Sequence, residues 1–238
     1  MVAKIDHKEC IFEPGECIVT VAARNGIEIP TLCHYEGLRG LGTCRVCVVE
    51  MNGKIVPACI TKLEKPCEIL TDSDRVREER GMMLALLRKR APNSEVIAAM
   101  AERYHAPDLP RLTVAEDADR CILCGLCVQA CKALGNSAIA TVMRGTKKKI
   151  GTPYDDASNV CIGCGSCAQV CPTGSISVKD ENGVRKIWHK EFRLVFCKRC
   201  GALLGTEEML KKNRITDEFC PDCRGYDTAE RIHQALGK

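Results

Sequence analysis

The sequence predicts an α+β chain made of successive small modules, each stapled by cysteines. Three observations lead there. The 238 residues include 19 cysteines, while aromatics make up only 4%, so a core built on large rings is not available. One cysteine run is written twice, at 121–131 and 161–171, with further cysteine groups before and after it. Between the groups the apolar pattern changes from short strand-like runs broken by turn signals to two stretches with helical period. The expected boundaries are 1–74, 75–118, 119–190 and 191–238.

A cysteine-rich chain is either oxidised and secreted or reduced and metal-binding. The start, MVAKIDHKEC, lacks the apolar stretch and small-residue cleavage site of a secretory leader. The longest apolar stretch, Met82 to Leu87, is cut off by Arg88-Lys89-Arg90, far short of the ~20 residues that cross a bilayer. The expectation is a soluble, cytoplasmic chain with no membrane span, whose cysteines are reduced ligands. The formal charge of +4 then misleads. Each cluster or zinc ion held by four thiolates carries a net −2, and four such sites bring the chain to roughly −4. Nucleic acid is therefore not expected as a partner, and Lys147-Lys148-Lys149 reads as a solvated patch.

In residues 1–74, strand-like runs at Cys17 to Val21, Val46 to Met51 and Glu68 to Leu70 alternate with turns at Pro14-Gly15, Asn25-Gly26 and Asn52-Gly53. Asp74 to Arg90 reads as a helix with Val76, Met83, Leu84 and Leu87 along one side, ended by Pro92. Ser94 caps a second helix through Arg103, and Ala106 to Asp119, with two prolines, reads as a linker. The stripe on the first of these helices is the expected surface for docking the flanking modules against each other. Asn182-Gly183 marks a later hairpin, between Ile176 to Lys179 and Val184 to Trp188.

Each copy of the repeat has the form C-x2-C-x2-C-x3-C. Three thiolates at this spacing wrap one cuboidal cluster, and the fourth ligates the other cluster. Cys121, Cys124, Cys127 and Cys171 should hold one [4Fe-4S] cluster, and Cys161, Cys164, Cys167 and Cys131 the second. Gly125, Gly163 and Gly165 let backbone approach the sulfides. Pro172 follows the last cysteine of the second copy, whereas Lys132 takes that place in the first. Upstream, Cys33-x10-Cys44-x2-Cys47-x11-Cys59 offers four thiolates suited to a [2Fe-2S] rhomb, with Gly37, Gly40 and Gly42 in the closing loop. A lone His34 does not make the histidine pair of a Rieske site.

The stretches Gly26-Ile-Glu-Ile-Pro-Thr-Leu-Cys-His-Tyr35, Gly42-Thr-Cys-Arg-Val-Cys-Val-Val-Glu50 and Pro57-Ala-Cys59, together with the repeat from Asp119 and Cys171-Pro-Thr-Gly-Ser-Ile176, resemble one family. It is the N-terminal iron–sulfur region shared by the large peripheral-arm subunit of complex I, the diaphorase small subunit of NAD-reducing hydrogenases, and NADH-linked multimeric hydrogenases. The resemblance implies a β-grasp [2Fe-2S] ferredoxin domain followed by a two-[4Fe-4S] ferredoxin domain, placed in an NAD(P)H-coupled electron chain. One departure stands out. The family carries a histidine-ligated cubane between these domains, but residues 75–120 contain no cysteine. The connector reads as a trimmed remnant, with His105 at the surface.

The tail holds Cys197-x2-Cys200 and Cys220-Pro-Asp-Cys223, nineteen residues apart. This spacing reads as a zinc-ribbon-like site of four cysteines, with a rubredoxin-like iron as the alternative occupant. Cys10, Cys17 and Cys67 are left over and read as buried reduced thiols, the first two able to face each other across a hairpin at Pro14-Gly15. No dinucleotide loop, Walker sequence or Ser/His/Asp set is present, so no catalytic residue is assigned. The expected function is an electron-transfer subunit between a flavin/NAD(P)H-binding subunit and a hydrogenase, formate dehydrogenase or similar catalytic subunit, with ferredoxin as a further partner. The alternatives are a free-standing ferredoxin-type carrier and, from another class, a zinc-ribbon nucleic-acid protein.

Overall fold

The computed structural model describes residues 1–113 and 120–237, so the expected boundary at 118/119 and the end of the expected linker lie outside them. No helix among the described residues is long and apolar enough to cross a membrane. The chain divides into two compact units, Met1–Ala130 with Thr141–Ile150 and Cys167–Ile176, and Cys131–Ala140 with Gly151–Ser166 and Ser177–Lys238. The division exchanges segments within the cysteine repeat: 167–176 falls with the first copy, and 131–140 with the second.

The first unit begins with strands β1 (Val2–Ile5) and β2 (Lys8–Ile11), helix α1 (Ile18–Arg24), and strands β3 (Val48–Met51), β4 (Lys54–Pro57) and β5 (Glu68–Leu70). They form a mixed sheet in the order β2-β1-β5-β3-β4, with β1 and β5 parallel and the other pairs antiparallel. This sheet with its single helix is the arrangement that the name β-grasp describes. Ala3 and Ile5 on β1, Val48 and Val49 on β3, Ile69 on β5, and Ile18, Val21 and Ala22 on α1 are buried. Asn52-Gly53 turns the β3–β4 hairpin with both residues at positive φ, as a tight two-residue turn requires. The strand expected at Cys17 to Val21 is instead the start of α1. A run of apolar residues fits a short buried helix as well as a strand, and here the two are not separated by periodicity. Cys17 bridges Lys62, and Cys10 pairs with Ala3 across β1 and β2, so they do not form a facing pair.

Helices α2 (Asp74–Arg90) and α3 (Glu95–Arg103) follow the expected bounds. The Ser73 and Ser94 hydroxyls accept the backbone N–H of Val76 and Ile97, satisfying otherwise orphaned donors. Helix α2 packs on β3 and α3 with Val76, Arg80, Gly81, Leu84 and Ala85 buried, while Met83 and Leu87 are only partly covered. The first copy of the repeat continues into α4 (Leu126–Ala133), then β6 (Ala140–Val142) and β7 (Lys149–Gly151). In the second copy α5 is only Ser166–Gln169, because Pro172 cannot extend it; Lys132 allows α4 to run on.

The second unit contains an antiparallel sheet in the order β11-β10-β9-β8, from β8 (Lys179–Glu181), β9 (Val184–Ile187), β10 (Lys190–Phe196) and β11 (Leu203–Thr206). The Asn182-Gly183 hairpin forms as expected, its first strand beginning at Lys179 and not at Ile176. Helix α6 (Glu207–Lys212) is capped by Thr206, and α7 (Pro221–Ala235) opens at the last cysteine pair.

Candidate iron–sulfur and metal sites

The closing loop after α1 and the turn after β4 bring Cys33, Cys44, Cys47 and Cys59 together, each at most 5% exposed. The thiols of Cys44 and Cys59 hydrogen-bond to that of Cys33 and hold it well below the ordinary thiol value. Cys44 and Cys59 are pushed up in turn, chiefly by Cys33, while Cys59 brings Cys47 down to about 7. Four buried thiols that compete in this way cannot all ionise unless positive charge is placed among them. A pair of ferric ions fits that requirement. The loop closes tightly over Cys59: a Cβ on Gly40 would stand 3.0 Å from the Cys59 carbonyl oxygen, and one on Gly42 would stand 2.6 Å from Ile60. His34 is half-buried, and its Nδ1 is buried without a hydrogen-bond partner.

Cys121, Cys124, Cys127 and Cys171 all lie in the first unit. Burial pushes the Cys124 thiol up to about 11 and that of Cys127 up to about 12. The charges of Cys121 and Cys171 reach both, so Cys171 stands with the first three cysteines although some fifty positions separate them. Backbone N–H groups already point at sulfur: Leu123 donates to Cys121 at 3.4 Å and Ser175 to Cys171 at 3.3 Å. Such donors stabilise thiolate and the more negative, reduced state of a cluster. The loop of the β-grasp site meets this one inside the same unit. Thr43 Oγ1 donates to the Cys124 carbonyl, a Cβ on Gly125 would stand 3.2 Å from Leu41, and the Cys33 charge is felt at Cys124.

In the second unit, burial pushes the Cys161 thiol up, and Cys131 and Cys164 lie close enough to add to this. Cys167 is buried and belongs to the first unit. Ala138 N–H donates to Cys131 Sγ at 3.2 Å. Two cations grip the loop that carries Cys161 and Cys164. Lys190 Nζ donates to the Cys161 carbonyl at 3.1 Å, and Arg185 donates to that of Gly163 at 3.0 Å while paired with Asp180 at 2.7 Å.

The sulfurs of Cys197, Cys200, Cys220 and Cys223 all lie within 4.8 Å of one another, and no other group of three or more potential ligands does so among the described residues. A tetrahedral ion with bonds of about 2.3 Å needs sulfurs this close, whereas a polynuclear cluster spreads them. The first pair stands on the β10–β11 hairpin, where Gly201 N–H returns to the Cys197 carbonyl at 2.9 Å. Cys220 is the N-cap of α7 and Cys223 lies in its first turn, with Pro221 presetting the helix. The second pair is therefore on a helix and not on the second hairpin of a ribbon. N–H groups of Cys200 and Cys220 hold the Cys197 thiol down at about 6, as suits a metal-binding thiolate.

Sequence reasoning missed Arg80, Arg185, Lys190 and Thr43. Only Arg80 leaves a signal, since it lies four residues from both Val76 and Leu84 on the packed side of α2.

Residues 3–74 match the 2Fe-2S iron-sulfur cluster binding domain, and residues 120–175 match the 4Fe-4S dicluster domain. The chain is an iron–sulfur protein carrying both domains. This iron–sulfur protein is 28% identical over 225 residues to an NADH-quinone oxidoreductase subunit of Rhizobium meliloti, covering 83% of this chain and 26% of that one. It is 30% identical over 205 residues to NADP-reducing hydrogenase subunit HndD of Solidesulfovibrio fructosivorans, covering 72% and 35%. Over 202 residues it is 30% identical to NADPH-Fe(3+) oxidoreductase subunit alpha of Geobacter sulfurreducens, covering 74% and 24%. The chain thus spans a quarter to about a third of these curated relatives. A chain of an NAD+-reducing [NiFe]-hydrogenase in the H2-reduced state shares the fold, with TM-score 0.63 and 24% identity over 73% of this chain and 85% of that one.

Proposed function

We propose that this iron–sulfur protein is an electron-transfer subunit of a multisubunit NAD(P)H-linked oxidoreductase. In this reading Cys33, Cys44, Cys47 and Cys59 hold a [2Fe-2S] cluster. Cys121, Cys124, Cys127 and Cys171 hold one [4Fe-4S] cluster, and Cys131, Cys161, Cys164 and Cys167 hold the other. Cys197, Cys200, Cys220 and Cys223 hold zinc. The clusters supply one-electron carriers; the chain's own residues hold them, exclude water and set the charge around them. The partners are a flavin/NAD(P)H subunit on one side and a hydrogenase, formate dehydrogenase or similar catalytic subunit on the other, with the chain in the cytoplasm.

The observation that carries this reading is the junction of Thr43 and Leu41 with Cys124 and Gly125, which seats two cysteine loops of different cluster type against each other. A relay needs such proximity, and a store of separate clusters does not. Relatives of this chain named as subunits of NADH- and NADPH-linked enzymes support the same assignment. The test is anaerobic purification of the native protein from its host, followed by subunit identification and EPR during NADH addition. Co-purifying flavin and catalytic subunits with NADH-dependent cluster reduction are expected. A chain recovered alone, reduced only when a separate reductase is added, would make it a free ferredoxin-type carrier instead.

A further inference from the structure

Arg80 is a buried cation with no anion beside it. It is 2% exposed at the middle of the packed face of α2. Its Nε donates to the Val46 carbonyl at 3.0 Å, and one Nη donates to those of Val48 at 2.8 Å and Thr71 at 3.1 Å. The Tyr104 ring, where α3 ends, covers the guanidinium at 5.1 Å. All three acceptors are neutral, and among the described residues no carboxylate lies within ion-pair distance of it. The carboxylate whose charge acts on it, Asp72, is 65% exposed and stands 3.7 Å from Arg77. Arginine is almost never this buried without a partner, because desolvating its charge costs several kcal/mol.

The missing countercharge is next to it in sequence and space. Val46 and Val48 flank Cys47, so the guanidinium grips the backbone on both sides of a ligand of the [2Fe-2S] site, and the Cys47 charge acts on it. With four thiolates that site carries a net −2 when oxidised and −3 when reduced. A positive charge sealed from water by α2, α3 and Tyr104 favours the more negative form.

We propose that Arg80 is the built-in countercharge of the [2Fe-2S] site, a positioning residue that fixes the Cys47 segment and raises the cluster's reduction potential. This rests on the ligand assignment proposed above. It also gives the connector a purpose of its own: with no cysteine between residues 75 and 120, its two helices remain as the cover over this charge.

The test is EPR-monitored redox titration of the full chain, loaded anaerobically, as wild type, Arg80→Gln and Arg80→Lys. Arg80→Gln keeps hydrogen-bond donors but removes the charge. Its [2Fe-2S] equilibrium constant for reduction is expected to fall at least tenfold, a shift of about 59 mV for one electron. Both cubane midpoints should stay in place, and Arg80→Lys should recover most of the shift. An unshifted [2Fe-2S] midpoint in Arg80→Gln overturns the proposal, and so does an equal fall in Arg80→Lys, which would make geometry and not charge the cause. If Arg80→Gln fails to hold the cluster, Tyr104→Leu decides. It changes no charge but admits water to the guanidinium, so the midpoint should fall part of the way, and an unmoved midpoint there sinks the idea. Absence of any [2Fe-2S] signal from the wild type would overturn the ligand assignment instead, a separate failure.

Discussion

The hydroxyl of Thr43 donates to the carbonyl of Cys124 at 3.5 Å, joining two cysteine loops that are 81 positions apart in the chain. The bond is long, and removing it should loosen the junction without unfolding either loop, at a cost of about 0.5–1.5 kcal/mol. Thr43→Val, alone and with Leu41→Ala, should keep every cluster signal yet slow reduction of the first cubane relative to the [2Fe-2S] cluster. Rapid-freeze EPR during NADH reduction of the assembled complex reads this directly. Wild-type rates in the double variant would mean that residues 41–43 are not where the two sites exchange electrons.

Serine substitutions separate the proposed ligand sets. Cys47→Ser should abolish the [2Fe-2S] EPR signal and leave both cubanes, because its partners Cys33 and Cys59 lie within the same β-grasp fold. Cys171→Ser should damage the cubane of Cys121, Cys124 and Cys127, whose thiols already feel its charge. Damage confined to the cluster of Cys161 and Cys164 would show that the fourth ligands are not exchanged.

Metal analysis of anaerobically purified protein should find about ten irons, ten acid-labile sulfides and one zinc per chain, from one rhomb, two cubanes and the single ion of the tail. Removing the zinc with a chelator should unwind the start of α7, since Cys220 stands at its N-cap position without a side-chain capping bond and Cys223 lies in its first turn, so the metal is what ties that end. Circular dichroism before and after chelation follows the loss. Eleven irons and no zinc would mark the tail as rubredoxin-like, and fourteen irons would restore a third cubane that residues 75–120 have no cysteines to hold.

Elements defined by capping and turn chemistry are legible in the sequence alone. Ser94 and Asn52-Gly53 act locally, so α3 and the β3–β4 hairpin form where sequence places them, and α2 keeps the bounds that its apolar period and Pro92 set. The segment Cys17 to Val21 is not, because a short apolar run buried on most sides has no period to read; α1 forms there against the sheet. The apolar stripe of α2 is half legible. Val76 and Leu84 are fully buried, but the residue between them on that face is Arg80, which any hydrophobicity pattern sends to solvent. The same stripe, expected to dock the flanking modules, packs on β3 and α3, and the loop at 41–43 is what reaches the first cubane site. Arg185 and Lys190 are out of reach for a different reason. Their partners are backbone carbonyls, which every residue carries and no sequence distinguishes.

Gly163 offers a sharp test of the second cubane site. Its φ of +65° is in the left-handed region, and a Cβ there would stand 2.6 Å from the ring of Phe192, which is 1% exposed on β10. Gly163→Ala therefore combines two penalties. The left-handed backbone costs roughly 1–2 kcal/mol for a residue with a Cβ. Overpacking against the ring adds about 1–3 kcal/mol. The strain falls on the carbonyl that Arg185 holds and on the loop between Cys161 and Cys164. The variant should lose or weaken the EPR signal of that cubane while the [2Fe-2S] signal stays intact. Phe192→Leu in the same chain should restore part of the signal by relieving the collision, but not all of it, because the backbone strain remains. The two substitutions touch one another and must be non-additive. A double variant no better than Gly163→Ala alone would show that the ring is not the obstacle. A Gly163→Ala variant with both cubanes at full intensity would show that this loop does not carry the second cluster.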